Sequence, residues 1–95
     1  MIWSLYLVRT RDGALYTGIA LDVDRRVAEH EAGVRGAKSL RGRGPLELVY
    51  RVGVGDRGLA QGMEHRVKKL AKAQKERLVA AAPSVVELKE RLGVE

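Results

Sequence analysis

Two tyrosines, Tyr6 and Tyr16, stand ten residues apart, and Arg26 and His30 follow at 10 and 14 positions beyond the second. Phenols, a guanidinium and an imidazole gathered in one place form a hydrolytic set. A phenol has a reference pKa of about 10, so it is a poor base at neutral pH unless nearby cations stabilise its phenolate. The planar fork of Arg26 suits two oxygens of a phosphate, where it stabilises charge developing on a pentavalent phosphorus. His30 lies one helical turn beyond Arg26, within reach of the same ligand, where an imidazole can bond phosphate or deliver a proton to a leaving oxygen. Taken singly, each residue has a plainer use: strand tyrosines mostly pack, helix arginines are mostly solvated, and a histidine on an apolar stripe is mostly a satisfied core residue. For the tyrosines and Arg26 their joint placement shifts the reading towards chemistry; for His30 placement alone leaves the core reading ahead.

That placement depends on the elements that carry them. Residues 2–9 and 14–18 are apolar, aromatic-containing runs around Thr10-Arg11-Asp12-Gly13, and Asp-Gly is a strong hairpin signal. With a two-residue loop Tyr16 faces Arg9 and Tyr6 lies on the opposite side of the sheet. With a three-residue loop, Arg11 to a left-handed Gly13, Val8 faces Tyr16, Tyr6 faces Gly18, and the phenols are diagonal neighbours. The three-residue loop is preferred because glycine suits its last position. A helix is expected from Asp22, its N-cap, to Ala32, stopped by Gly33. On it Val23, Val27 and His30 share a stripe with Arg26 on the border, and Arg25 and Glu29 point the other way.

Residues 33–45 are glycine-rich and carry Arg35, Lys38, Arg41 and Arg43 without an acid. Such a loop suits phosphate contacts, and equally a solvated linker. Arg25 joins these four as the expected nucleic-acid-binding set. Leu46 to Val54 reads as a third strand, a helix runs from about Arg57 to Lys72 with Leu59, Met63, Val67 and Leu70 as its buried stripe, and Glu64 stands at the border of core and solvent. A short helix over residues 74–82 follows, then a capping box from Ser84 to Glu87 opens a last helix ending at Gly93. The expected fold is α/β (α+β) in the order ββαβααα, helices against a three-stranded antiparallel or mixed sheet. Trp3 and Tyr50 are assigned to the core, since the chain has no Phe. Lys68, Lys69, Lys72, Lys75 and Arg77 read as a solvated helix face.

At 95 residues one domain spanning 1–95 is expected. A net charge of +6, from 18 Lys plus Arg against 12 acids, favours a polyanionic partner. The absence of cysteine excludes disulfides, thiolate metal sites and thiol nucleophiles. No apolar run is long enough for a membrane span and no leader opens the chain, so the expected location is cytoplasmic; the oligomeric state stays open.

Ser4-Leu5-Tyr6, Tyr16-Thr17-Gly18, Arg26 and His30 resemble the GIY-YIG nuclease superfamily, and within it the small standalone bacterial proteins of YhbQ type. The likeness continues through Gly36-Ala37-Lys38, Arg41-Gly42-Arg43, Pro45, Leu48-Val49-Tyr50, Glu64 and Gln74-Lys75. Ser4 replaces the first glycine of the motif and Thr17 its second isoleucine, while the tyrosines and Gly18 remain. The resemblance implies an endonuclease that hydrolyses DNA phosphodiester bonds with little sequence specificity, in a setting such as DNA repair. It implies that Tyr16 helps activate the attacking water while Tyr6 orients water or phosphate, with the exchanged roles left open. Arg26 and His30 complete the catalytic set, and Glu64 is the single carboxylate for Mg²⁺ or Mn²⁺. The family often adds a late Asn; this chain has none, and Gln74 or Lys75 lies in that region. Some members carry a Lys directly after the Tyr-x-Gly triplet, where Ile19 stands here. The alternative is a non-catalytic module of the same fold that binds DNA or RNA.

Overall fold

The computed structural model describes residues 1–33 and 43–94. Their element order is β1 (Trp3–Arg9), β2 (Leu15–Ala20), α1 (Val23–Ala32), β3 (Glu47–Gly55), α2 (Arg57–Lys68), α3 (Lys72–Ala81) and α4 (Val85–Leu92). This is the expected ββαβααα order. The three strands form one sheet in the order β2-β1-β3, with both pairings antiparallel.

The hairpin has the three-residue loop. Val8 pairs with Tyr16 and Tyr6 with Gly18. Thr10 and Ala14 close the loop through the Thr10 N–H to the Ala14 carbonyl, and Gly13 takes the left-handed φ of 88° that its position demands. The Thr10 hydroxyl donates to Asp12, whose carboxylate also accepts from Arg43.

Strand alternation then sorts two cores onto two faces. Leu5 and Leu7 look towards α2, α3 and α4, where they pack with Tyr50, Met63, Val67, Leu78 and Leu88. Tyr6 and Val8 look towards α1, where they pack with Ala20 and Val23 and are joined by Tyr16, Val27 and Leu48. The central strand β1 is therefore buried from both sides, which explains its nearly continuous apolar sequence. Tyr50 belongs to the core as expected, its hydroxyl donating to the Pro83 carbonyl. Trp3 does not: it is half-buried at the sheet end and belongs to neither buried cluster.

Helix α1 begins and ends as its sequence says. Asp22 accepts from the Arg25 N–H and Gly33 closes the helix at φ 72°. It is tied to β3 by the Arg51–Asp24 pair and by Glu31, which accepts from the Leu46 N–H. The second helix differs from expectation. It ends at Lys68, not Lys72, because the Lys69 and Leu70 N–H groups bond three residues back and tighten the turn. Gln74 then accepts from the Ala71 N–H and starts α3 at Lys72. Leu70 still reaches the core from this turn, so the apolar period runs on through a break in the helix. Serine 84 and Glu87 form the expected capping box of α4 and Gly93 ends it.

Candidate active site

The site lies on the α1 face of the hairpin. Tyr6 comes from the middle of the central strand and is 1% exposed. Its phenol lies against Gly18 so closely that a Cβ there would sit 2.5 Å from Oη and 2.6 Å from Cζ. Only glycine leaves room for the ring, which is a packing requirement and not one of backbone torsion. The Tyr6 hydroxyl is 3.0 Å from His30 Nε2. His30 arrives from α1, buried, with its ring 5.7 Å from that of Tyr16 at 70°, an edge-to-face arrangement. One imidazole thus touches both aromatic rings, joining the first two elements of the chain to the third.

Electrostatics assign the proton in that bond. Burial pushes the Tyr6 phenol up to about 12, the nearby Tyr16 adding to the rise, with Arg26 pulling it down and Glu64 raising it further. Burial depresses His30, aided by the Arg26 charge and opposed by Glu29. Near neutral pH a protonated phenol therefore donates to the Nε2 of a neutral imidazole. The influence of Tyr16, Arg26 and Glu64 on the Tyr6 phenol shows that all four groups share one neighbourhood.

Arg26 is paired with Glu29 at 3.3 Å and is about one-third exposed, leaving its fork at the rim of the pocket. Arg25 was expected to point away with Glu29; instead Glu29 bridges the two guanidinium groups, lying 3.6 Å from Arg25, and all three line one hollow. Glu64 and Lys68 come from α2 around the free edge of β2. Their side chains are 3.4 Å apart, and the Lys68 ammonium lies 5.9 Å above the Tyr16 ring. Lys68 is the residue that sequence reasoning missed. Its signal was the four-residue spacing from Glu64, which reads equally as a surface ion pair.

Other expected residues are accounted for differently. Arg43 is held by the hairpin turn, where its guanidinium donates to both oxygens of Asp12 at 3.1 and 2.9 Å. The Thr10 hydroxyl and then Arg43 hold that carboxyl down at about 2. Arg35, Lys38 and Arg41 lie outside the described residues. Gln74 is committed to its helix start, and His65 is exposed. Among the described residues no group of three or more His, Asp or Glu side chains is spaced to hold a metal ion. Glu64 is the carboxylate that acts on the Tyr6 phenol.

The profile of the GIY-YIG catalytic domain matches residues 2–77. The chain belongs to the GIY-YIG family. Its relatives include a UPF0213 protein of Enterobacter sp. (strain 638), 58% identical over 90 residues, which cover 95% of this chain and 87% of that one. The UPF0213 protein YhbQ of Escherichia coli (strain K12) is 57% identical over 86 residues, covering 90% of this chain and 85% of YhbQ. A solution NMR structure of a UPF0213 protein from Bacillus halodurans aligns over the whole of both chains with a TM-score of 0.57 and 37% identity. The fold of this GIY-YIG domain, a three-stranded antiparallel sheet with four helices, agrees with that relative. Membership of a nuclease superfamily gives the chain a nuclease-like domain and favours a nucleic acid as its partner. No helix among the described residues is long and apolar enough to cross a membrane.

Proposed function

We propose that this GIY-YIG domain is a metal-dependent endonuclease that hydrolyses DNA phosphodiester bonds with little sequence specificity, acting in the cytoplasm in a role such as DNA repair. The observation that carries this reading is the convergence on Tyr6: a buried phenol bonded to His30, against Gly18, in the fields of Tyr16, Arg26 and Glu64.

Each group then has a task its surroundings suit. Tyr6, which keeps its proton far above neutral pH, donates it in a hydrogen bond to His30 Nε2 and so orients the imidazole. Water activation falls to Tyr16, over whose ring Lys68 holds a positive charge. Arg26, at the rim, takes the scissile phosphate oxygens and stabilises their charge in the transition state. His30, neutral and oriented by Tyr6, bonds the phosphate. Phosphoryl transfer of this kind is mostly positioning and charge stabilisation.

The donor set fits Mg²⁺ or Mn²⁺. Glu64 offers hard carboxylate oxygen, for which a divalent ion would compete with Lys68, and it needs few protein partners because Mg²⁺ keeps most of its waters and adds substrate phosphate. When bound, such an ion supplies Lewis-acid stabilisation of the phosphoryl oxygens.

Arg26→Ala tests the reading. Mg²⁺-dependent nicking of plasmid DNA is expected to vanish while DNA binding falls only modestly. A wild-type protein that cuts neither DNA nor RNA in Mg²⁺ or Mn²⁺ would overturn it. The second reading, a non-catalytic module binding DNA or RNA, would then stand; it is favoured by the described residues offering no group of three or more His, Asp or Glu side chains that could hold a metal ion.

A further inference from the structure

Beside the phenol pocket lies a second feature that the hydrolytic reading leaves unused. Trp3, Ile19, Leu21, Arg25, Arg26 and Glu29 line a hollow of about 440 Å³, within the size range of small-molecule sites. Two of its walls are apolar: the half-buried indole of Trp3 and the 43% exposed side chain of Leu21. The polar lining is the start of α1, where Asp22 adds a carboxylate and two guanidinium groups flank that of Glu29. The hollow thus combines apolar surface with donors and acceptors, the pairing that a nucleobase presents in its faces and its edge.

Trp3 is set for such a contact. The three tyrosines are otherwise committed: Tyr6 and Tyr50 are buried and Tyr16 abuts His30. Trp3 alone of the four aromatic residues belongs to neither core cluster and fronts a hollow. The Arg57 guanidinium lies 5.4 Å from its ring centroid and is not part of the hollow's lining. Arg26 lines the hollow and also acts on the Tyr6 phenol. A nucleotide whose phosphate lies at Arg26 has its base one sugar away, and Arg26 borders both compartments.

We propose that the hollow between Trp3 and the Arg25–Arg26 face of α1 receives one unpaired nucleobase of the substrate strand next to the scissile phosphate. This selects nucleic acid with single-stranded character at the cut. The inference rests on the phosphodiesterase reading for its account of the neighbouring phosphate. A paired base has both faces stacked and its edge engaged, so a continuous duplex leaves the hollow empty. An unpaired base stacks on the indole and offers its edge to Arg25 and Glu29.

Trp3 is the single tryptophan of the chain, so intrinsic fluorescence reports this contact directly. The full chain is titrated in EDTA, where no hydrolysis interferes, with oligothymidylate, a blunt duplex and the same duplex carrying one unpaired thymidine. Binding is followed in parallel by anisotropy of a labelled strand. Oligothymidylate and the bulged duplex are expected to quench the tryptophan, and the blunt duplex to bind without quenching. Trp3→Leu is expected to weaken oligothymidylate binding about 5- to 150-fold, the usual range for loss of one base–aromatic stack, with blunt-duplex binding nearly unchanged. Leu21→Asp, at an exposed lining position outside both cores, is expected to weaken the same probes selectively with Trp3 in place, so the test survives a Trp3 variant that does not fold. Saturation by oligothymidylate without quenching, or equal loss for paired and unpaired probes in both variants, overturns the proposal. A protein that quenches selectively yet never cuts keeps this site and loses the nuclease reading; one that cuts without selective quenching does the reverse.

Discussion

Gly18→Ala isolates the packing requirement at the centre of the site. The new methyl would meet Tyr6 Oη at 2.5 Å and Cζ at 2.6 Å, distances at which something must move. The far end of a flexible side chain could yield cheaply, but Tyr6 is 1% exposed, bonded to His30 and packed beside Val8, Ala20 and Val23. Overpacking of this kind costs about 1–3 kcal/mol. In a domain of this size each kcal/mol moves Tm by about 4–8 °C, so Gly18→Ala is expected to melt about 5–20 °C below wild type. A double-mutant cycle with Tyr6→Leu identifies the cause. If the clash is with the phenol, Gly18→Ala costs much less once the ring is gone, and the coupling energy falls in the range of about 0.5–3 kcal/mol expected of residues in contact. Urea unfolding of the four proteins supplies the numbers. Displacing the ring also takes Oη from His30 Nε2, and a shift of about 1 Å in a catalytic group commonly costs about 100-fold in rate. Additive effects in the cycle, or Gly18→Ala as stable as wild type, would refute the packing argument and leave Gly18 as a backbone preference only.

Burial depresses His30 below its ordinary value of about 6.5, so the unfolded chain binds the extra proton more readily than the native one; stability is then full above about pH 6.5 and falls as the pH drops below it. Urea midpoints between about pH 7 and pH 5 should show this decline, with a shallower one in His30→Gln. Tyr6 and Tyr50 are both pushed up to about 12, mainly by burial, so native protein holds protons there that the unfolded chain releases from about pH 10. Stability should therefore fall between about pH 10 and pH 12, and absorbance at the phenolate band should show the late ionisation of Tyr6 and Tyr50, with the Tyr6 part lost in Tyr6→Phe. Ala82 closes α3 at a left-handed φ of 45°, a conformation that disfavours any residue with a Cβ; Ala82→Gly is expected to stabilise the protein by about 0.5–1 kcal/mol, read as a rise of several degrees in Tm.

The elements were legible wherever a local device ends them. Asp22 and Gly33 bound α1, Ser84 and Glu87 open α4, and Gly13 fixes the hairpin loop, each through backbone groups within a few residues. The hairpin loop also sets the register, and the register put Tyr6 and Tyr16 on one face. The break at Lys69–Ala71 was not legible, because it rests on a Gln74 side chain folding back to one N–H amid good helix formers. Trp3 was misread since composition counts aromatics without saying which reach the middle of the sheet.

What the sequence determined by itself is everything that acts over one turn or one strand pair: element order, caps, the diagonal phenols, and Arg26 one turn before His30. What only the tertiary structure decided is which distant groups meet. Lys68 reaches the Tyr16 ring and Glu64 acts on the Tyr6 phenol because α2 packs against the hairpin, and Trp3 fronts a hollow because β1 begins beside the end of β2 that leads into α1. The protonation of Tyr6 belongs to the same class. A phenol's pKa is set by the solvent it has lost and the charges around it, and neither exists until the chain has closed over the ring.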